Sequence, residues 1–372
     1  MNILFFHNTL APYRIPFFKA LAQKTELKLA FTNITEVDRI YKESGTTAFL
    51  EEINYVVIDK KKCIAQIRDL VCNGSWDVIN LPTPDGIYEL FTCYLIAFFA
   101  KRAHKKTAIF WIRWIPDSVE IPRKQRFKTF VRNTLVKPIV RNVDVCICSG
   151  KMSEKNFLSL GVPAEKIKRM HYSTDVYLNC EDIDIYHTYS IPRNKKILLY
   201  FGRVISRKGL RELLKAYQQL KVQYADLALV VAGSGDEYYA ACQSYVSKNE
   251  MEDVYFVGQI SSKYRKNFFE ASEIFVLPSL FEKGVPEPWG QTVNEALQCG
   301  CPVVATTAVG AAYDVLNETN GIMAESTVDG LKKSIEAVLN RECLKEQIKN
   351  SIRAYTCDAM ADDFVNAYQT IK

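Results

Sequence analysis

With 372 residues, the chain is too long for one hydrophobic core of ordinary size and long enough for two α/β domains. Hydrophobic residues make up 48% of it and charged residues 24%, which excludes a disordered or fibrous protein. No stretch reaches the roughly 18 apolar residues that a membrane-spanning helix needs. The net charge of +6 is uneven, because residues 101–141 carry +10 and the rest of the chain −4.

Short apolar strands and helical segments alternate along the first half of the chain. Residues 1–6 predict a β-strand and not a signal peptide, because they lack a basic segment and a small-residue cleavage site. The longest apolar run, residues 90–100, predicts a buried helix. We predict strands at residues 3–6, 28–32, 55–58, 77–80, 108–112 and 143–148.

The second half repeats this alternation. Strands separated by helices of about 10–15 residues form βαβ units, so each half predicts a doubly wound parallel sheet. Such sheets bind ligands at the carboxyl ends of their strands. We predict strands at residues 196–201, 227–232, 254–256, 274–277 and 302–305.

An irregular, acidic stretch that contains Pro192 separates the two series of strands. We therefore predict an N-terminal Rossmann-like domain at residues 1–175, a linker at 176–195 and a second, C-terminal domain at 196–345. A helical segment follows at 346–372, and the sequence leaves open whether it packs back on the first domain.

The most informative stretch is residues 286–297, Pro-Glu-Pro-Trp-Gly-Gln-Thr-Val-Asn-Glu-Ala-Leu. Gly290 opens a predicted helix whose N-terminus suits a phosphate, because the first turn offers N–H groups and the positive end of the helix dipole. Glu287 precedes this terminus and Glu295 lies within the helix. Carboxylates accept hydrogen bonds from sugar hydroxyls, so the stretch suits a ligand with a phosphate centre and hydroxylated ends. A capped helix with two exposed glutamates is the plainer alternative.

A second informative stretch is residues 200–209, Tyr-Phe-Gly-Arg-Val-Ile-Ser-Arg-Lys-Gly, at the end of a predicted strand. Gly202 permits a sharp turn there, and Arg203 and Lys208 can converge after it. Arginine and lysine are the cations that a diphosphate group requires. Taken alone, the stretch is more typical of a basic loop before an amphipathic helix, whose apolar positions are Leu210, Leu213, Leu214, Tyr217 and Leu220.

Together these segments resemble family 4 of the retaining glycosyltransferases, of the bacterial polysaccharide and lipid-linked glycan type. The resemblance covers the C-terminal half, and residues 11–18 and 149–175 show it more weakly. It implies the GT-B fold, an α/β architecture of two Rossmann-like, doubly wound parallel-sheet domains facing a cleft. Residues 1–175 would then form the acceptor-side domain and residues 196–345 the nucleotide-sugar donor domain. The motifs are G-R-x4-K-G at 202–209, A-G-S-G-D at 232–236, F-V-G at 256–258, S-E-I-F-V-L-P-S at 272–279, E-x7-E at 287–295 and N-E-A-L-Q-C-G-C-P-V-V-A-T at 294–306.

The resemblance also implies residue roles. Arg203 and Lys208 would bind the donor diphosphate and stabilise the departing phosphate, while Glu287 would contact the donor sugar. Glu295 would hold the ribose. The co-substrate would be a nucleotide diphosphate sugar, with no bound metal or other cofactor. The other implied donor-binding residues are Gly202, Gly258, Gln259, Ile260, Gly290, Gln291 and Thr292.

Two regions depart from the family pattern. Many relatives have a glycine-rich loop after the first strand, where this chain has residues 7–12, beginning with His7. Many also have a histidine where this chain has Arg113 and its neighbours. Both regions face the acceptor in the family, so the acceptor and the roles of His7 and Arg113 stay open.

The resulting hypothesis is transfer of a sugar to a hydroxyl of a glycan or lipid-linked acceptor, with retention at the anomeric carbon. A nucleotide-sugar epimerase of the same architecture is one alternative, although no paired acid and base is evident for it. A catalytically inactive, membrane-associated assembly partner is another. The presence of Arg203, Lys208, Glu287 and Glu295 argues against that second alternative.

The basic segment at residues 101–141 predicts an anionic partner. Within it, Phe127, Phe130, Val131, Leu135 and Ile139 follow helical spacing, and basic residues crowd the remaining surface. Such a helix can lie on an anionic membrane, or it can pack its apolar stripe on the sheet, and the two are compatible. No nucleic-acid recognition motif accompanies the charge.

The eleven cysteines are odd in number and thinly spread, which favours a reducing cytoplasm over a disulfide framework. We therefore predict a cytoplasmic protein, with a peripheral position on the inner face of the membrane as an open alternative. Asp182 and Asp184 match the D-x-D pattern of a metal-dependent class of glycosyltransferase, but they fall in the predicted linker.

Overall fold

The computed structural model describes residues 1–32, 52–115 and 122–372. The chain forms two compact units, of which the first comprises Met1–Trp114, Pro122–Thr174 and Tyr355–Lys372. The second unit takes in Asp175–Ala354. Asp117 and Glu120, the two acids of the basic segment, lie outside the described residues.

Within the described residues, the first unit has one sheet of seven strands, all parallel, in the order β3-β2-β1-β4-β5-β6-β7. The strands are β1 Asn2–His7, β2 Glu26–Phe31, β3 Tyr55–Val57, β4 Val78–Leu81, β5 Lys106–Phe110, β6 Val145–Cys148 and β7 Ile167–Arg169. The helices are α1 Ile15–Lys24, α2 Cys63–Asn73, α3 Ile87–Arg102, α4 Arg123–Asn142 and α5 Lys151–Ser159.

The second unit has a six-stranded parallel sheet in the order β10-β9-β8-β11-β12-β13. Its strands are β8 Lys196–Phe201, β9 Leu227–Ala232, β10 Val254–Gly258, β11 Ile274–Leu277, β12 Val303–Thr306 and β13 Gly321–Ala324. Its helices are α6 Ile185–Thr188, α7 Leu210–Lys221, α8 Glu237–Lys248, α9 Arg265–Ala271, α10 Gln291–Gln298, α11 Ala312–Val315, α12 Val328–Leu339 and α13 Lys345–Ser351.

These two parallel sheets confirm the predicted α/β class, and every predicted strand is present within a few residues of its predicted bounds. The sequence did not predict β7 and β13. Both are short edge strands, and β7 reads Ile-Lys-Arg, so neither buries a continuous apolar run that would identify it.

The segment predicted as a linker, residues 176–195, belongs to the second unit. Asp184 caps α6 there, accepting hydrogen bonds from the backbone N–H groups of Tyr186 and His187. Asp182 pairs with Lys266 at 2.7 Å. The two aspartates of the D-x-D pattern thus have structural roles.

The last helix, α14 Cys357–Gln369, packs within the first unit against α1. Its Phe364 is fully buried, with its ring 4.8 Å from that of Phe17 and 5.3 Å from that of Phe110. Residues 346–372, predicted as one helical segment, are therefore divided: α13 lies in the second unit and α14 in the first.

The burial predicted for the helix at residues 90–100 needs correction, and the packing of the α4 stripe, which the sequence leaves open, is resolved by the structure. The run at residues 90–100 forms most of α3, but only one face of that helix is buried, and Phe91 and Phe98 are exposed. On α4 the apolar stripe is also exposed, apart from Ile139. The reason is that α4 packs on the core through a different face, formed by Val136, Ile139 and Val140.

Substitution of Phe364 tests the packing of the last helix, α14, within the first unit. We expect Phe364→Ala to lower the free energy of unfolding by about 3–5 kcal/mol, the usual cost of deleting a fully buried phenylalanine ring. Chemical denaturation of the full chain measures this. The matched control is Phe130→Ala, whose side chain is 67% exposed and should change stability little. Equal effects of the two substitutions would contradict this packing.

Candidate functional site

The candidate donor site begins at the carboxyl end of β8, where the chain turns through residues 202–209 in the second unit. A single 3₁₀ turn, Ser206–Lys208, precedes Gly209, whose φ of 69° is costly for any residue with a side chain. A Cβ atom at Gly209 would also lie 1.9 Å from the Pro278 carbonyl oxygen. Glycine thus lets the basic turn lie directly on the loop that follows β11, where the Leu280 N–H donates to the Arg207 carbonyl at 2.8 Å.

Glu287 lies in the loop between β11 and α10, and its backbone is fixed on both sides. Its N–H donates to the Ala308 carbonyl at 2.8 Å, and its carbonyl accepts from the Gly310 N–H at 3.0 Å. The loop after β12 therefore holds Glu287 in place. This backbone support fixes the position from which the carboxylate acts.

Two cations bind the same carboxylate oxygen of Glu287. The distance to Oε2 is 2.7 Å from Lys208 Nζ and 2.9 Å from Arg207 Nη1. All three side chains are at least four-fifths buried, so water screens these contacts weakly. Burial raises the pKa of the Glu287 carboxyl, but Lys208 and Arg207 outweigh it and hold the pKa below its usual value.

The helix N-terminus predicted at Gly290 is present. Gly290 has a φ of 97°, and a Cβ there would come within 2.8 Å of Leu277 Cδ2, so glycine allows α10 to start against the end of β11. The Trp289 indole N–H donates to Asn294 Oδ1 at 2.8 Å inside the protein, which fixes the entry to the helix. Gln291 and Thr292 form its half-buried first turn.

Glu295 is buried on α10, with 2% of its side chain exposed. Its Oε1 pairs with Arg265 of α9, while its Oε2 is buried and has no hydrogen-bond partner among the described residues. A buried acceptor without a donor is costly and uncommon in a finished fold. Glu295 therefore offers an open acceptor position to a ligand hydroxyl.

The structure places some of the predicted site residues in contact and shows two further residues at the site, Arg207 and Arg265. Lys208 and Glu287 are in contact, whereas Arg203 is exposed. Arg207 contacts Glu287 instead; it lies within the basic motif at residues 202–209, which predicts no role for it. Arg265 lies outside every motif, so no sequence signal identified it.

The remaining predicted donor-binding residues end or follow strands of the same parallel sheet, so they share its carboxyl edge. Gly202 follows β8, and its N–H donates to the Ala232 carbonyl at 2.9 Å. Gly258 ends β10 with a φ of 76°, and a Cβ there would meet no atom within 4 Å. Gly258 therefore has open space beside it. The next two residues are Gln259, which is exposed, and Ile260, which is half-buried.

The carboxyl edge of the first unit's sheet has its own group of buried polar atoms. His7 Nδ1 at the end of β1, and Nε and Nη1 of Arg14, are buried without hydrogen-bond partners among the described residues. Burial, helped by the Arg14 charge, lowers the pKa of His7 to about 3, so its imidazole is neutral at pH 7. Burial and the nearby Arg132 lower the pKa of Arg113 to about 10, which leaves it charged at pH 7.

The pair of Glu295 and Arg265 yields a prediction about stability. Arg265→Met should destabilise the protein at the lower end of the about 3–5 kcal/mol that an uncompensated buried charge costs, because Arg265 is partly exposed. Combining it with Glu295→Met should restore most of this loss. Chemical denaturation of both single variants and the double variant measures the coupling. A double variant as unstable as the sum of the two single variants would contradict the pairing.

Residues 184–355 match the model of the family described as "Glycosyl transferases group 1". An uncharacterized glycosyltransferase of Methanocaldococcus jannaschii, MJ1607, is 24% identical over 237 residues, which cover 60% of this chain and 59% of that protein. The match thus spans less than two thirds of that relative. A 2-deoxystreptamine N-acetyl-D-glucosaminyltransferase of Niallia circulans is 25% identical over 79% of this chain and 76% of its own.

The fold has close counterparts among solved structures. HepE from Anabaena, crystallised in complex with UDP, superposes with a TM-score of 0.71 over 100% of this chain and 98% of its own, at 18% identity. The two parallel-sheet units and this likeness establish the GT-B fold. The family match and the fold together support a glycosyltransferase of the GT-B type.

Proposed function

We propose that the protein is a retaining glycosyltransferase of family 4 that moves a sugar from a nucleotide diphosphate sugar to a hydroxyl of a glycan or lipid-linked acceptor. The observation that carries this proposal is the buried contact of Lys208 and Arg207 with one oxygen of Glu287. Two cations share a single carboxylate there, so the group keeps an excess positive charge that suits an anionic ligand.

The donor diphosphate would take Lys208 from Glu287. A diphosphate carries more negative charge than one carboxylate and presents several oxygens, so it competes well for a buried lysine. Arg203, exposed at the same turn, is free to close on the ligand from solvent, and the N-terminus of α10 at Gly290, Gln291 and Thr292 adds N–H groups. The binding step would thus release the Glu287 carboxylate for the sugar.

The two glutamates would then hold the two hydroxylated ends of the donor. Glu287, released from Lys208, would accept hydrogen bonds from the transferred sugar. Glu295 would use Oε2, which has no partner among the described residues, for the ribose, while Arg265 orients the carboxylate. The base would lie beside residues 258–260, where Gly258 leaves open space.

Retention would follow a front-face route. The bond between the anomeric carbon and the diphosphate oxygen breaks, the acceptor oxygen bonds to the same face, and its proton passes to the departing phosphate. Glu287 would still pair with Arg207 in this state, and a carboxylate held by a cation is a poor nucleophile, which disfavours a covalent intermediate on it. The cations supply the charge stabilisation, so we propose that the reaction needs no metal ion.

The acceptor side would be formed by the first unit, with His7 and Arg113 near it. The basic segment at residues 101–141 would draw the protein to the anionic inner face of the membrane, where a lipid-linked acceptor is present. No helix in the described part of the chain has the length and apolar character needed to cross a bilayer.

Nucleotide release tests the proposed activity. Because the HepE structure holds UDP, we expect release of the nucleotide diphosphate first from UDP-sugars, in the presence of EDTA and more strongly with a lipid-linked acceptor. Product and donor should have the same anomeric configuration by NMR. Lys208→Ala and Arg203→Ala should each lower kcat/KM by about 10²-fold, the scale of one transition-state charge contact. Lys215→Ala, an exposed lysine on α7, is the matched control.

Three other outcomes of this assay would contradict parts of the proposal. An isomerised nucleotide sugar without release would indicate an epimerase. Loss of activity in EDTA with recovery on adding Mn²⁺ would refute the metal-independent mechanism. Near-normal kinetics in both Lys208→Ala and Arg203→Ala, with folding intact, would remove these residues from the donor site.

Calorimetry with the nucleotide diphosphate alone separates the two glutamates. Glu295→Gln should weaken binding, because Glu295 would hold the ribose. Glu287→Gln should bind at least as tightly as the unmodified protein, because it removes the carboxylate that competes for Lys208, yet it should impair turnover. The opposite pattern would mean that the donor lies reversed in the site.

A further inference from the structure

The outer face of α4 is apolar and exposed, which glycosyl transfer does not explain. Phe127 is 68% exposed, Phe130 67%, Val131 40% and Leu135 45%. These residues are spaced by three and four positions, so they form one stripe along the helix. A stripe of this kind on a water-facing helix marks an interaction surface.

A second exposed stripe runs along α3. Ile87 is 90% exposed, Phe91 45%, Tyr94 40% and Phe98 55%, again at helical spacing. The opposite face of α3, with Thr92, Cys93, Ile96 and Ala100, is fully buried. The helix is therefore apolar on both sides, and rotating it to hide one face would expose the other.

The two stripes are neighbours. Helices α3 and α4 contact each other, and the Tyr94 hydroxyl donates to the Leu135 carbonyl at 2.6 Å. We call the eight exposed residues on these two helices the α3–α4 surface. Because Val136, Ile139 and Val140 pack α4 on the core, this surface is held outward by the fold.

Positive charge surrounds the α3–α4 surface. Helix α4 contains seven basic residues and no acidic one. Arg132 is engaged with Asp85 at 2.7 Å, and the other six are exposed. These six are Arg123, Lys124, Arg126, Lys128, Lys137 and Arg141.

A groove of about 610 Å³ lies at the C-terminal ends of the two helices. Its lining includes Tyr94, Phe98, Lys101, His104 and Lys105. Among the described residues that line it, the one carboxylate is that of Asp144, which accepts from the Thr107 N–H at 2.8 Å and pairs with Lys106 at 3.6 Å. An anionic headgroup can therefore meet cationic groups here while its acyl chains contact the aromatic residues.

We propose that the α3–α4 surface inserts its aromatic side chains into the interfacial layer of an anionic lipid bilayer. Aromatic and aliphatic residues would enter the boundary between headgroups and acyl chains, and the basic residues would contact the headgroups. A second copy of the chain fits this surface less well, because a symmetric contact would bring two sets of six exposed basic residues together.

Insertion of the α3–α4 surface changes how the binding of the protein to anionic membranes should depend on salt. Attraction by the basic residues alone is lost at high salt, whereas burial of aromatic surface is retained or strengthened. We therefore expect two components of binding, and the salt-resistant component is specific to the α3–α4 surface. Binding is measured without donor or acceptor, so its outcome is independent of the proposed transfer activity.

Cosedimentation with vesicles tests the proposal, using phosphatidylglycerol mixed with phosphatidylcholine, at about 0.05 M and about 1 M salt. The unmodified chain should bind at low salt and remain partly bound at high salt. Phe127→Ser/Phe130→Ser and Phe91→Ser/Phe98→Ser should each lower the high-salt partition coefficient at least about tenfold, because each pair removes two inserted rings. Lys124→Glu/Arg126→Glu/Lys128→Glu should instead reduce the low-salt component.

The matched control is Ile64→Ser on α2, which is 55% exposed, as is Phe98, and should bind as the unmodified chain does. Circular dichroism confirms folding of each variant. Unmodified protein that stays in the supernatant at low salt would overturn the proposal, as would unchanged high-salt binding in both phenylalanine variants. So would a dimer in analytical ultracentrifugation that the phenylalanine variants dissociate.

Discussion

The candidate donor site depends on the placement of one carboxylate, that of Glu287, between two cations in a mostly buried position. Burial alone would favour the neutral acid, but Lys208 and Arg207 keep it ionised. The site depends on this carboxylate, because its removal would leave Lys208 and Arg207 next to each other with little water to screen their repulsion. The backbone is organised accordingly: Gly209 lets the basic turn approach the loop after β11, and residues 308–310 fix the backbone of Glu287.

The sequence predicted the parts of the molecule whose pattern is strong and local. Strands such as β8, β9 and β11 are short apolar runs buried on both faces, so their bounds could be read directly. Gly290 and the apolar positions of α7 also behave as predicted, since a helix start and an amphipathic stripe are local signals. Edge strands β7 and β13 lack such a pattern and were missed.

The misses at the site have a different cause. Arg207 and Lys208 are adjacent in sequence, and only the three-dimensional turn shows that both side chains reach Glu287. Arg265 is 30 residues from Glu295, and its role follows from the packing of α9 against α10. The exposed face of α3 was missed for a similar reason: a uniformly apolar helix gives no periodic signal of which face is buried.

The two glutamates of the E-x7-E motif are therefore chemically distinct, although sequence spacing presents them as a pair. Glu287 gives one oxygen to two cations, so an anionic ligand can change its state by competing for those cations. Glu295 pairs through one oxygen with Arg265, and its other oxygen has no partner in the described part of the chain, so a neutral hydroxyl can bind there without displacing a described group. In the proposed binding mode, the cations beside Glu287 would meet the anionic centre of a donor, the released Glu287 carboxylate would meet the transferred sugar, and Glu295 would meet the ribose. The different surroundings of the two glutamates therefore indicate which end of the proposed donor each would contact, which the spacing of the motif does not reveal.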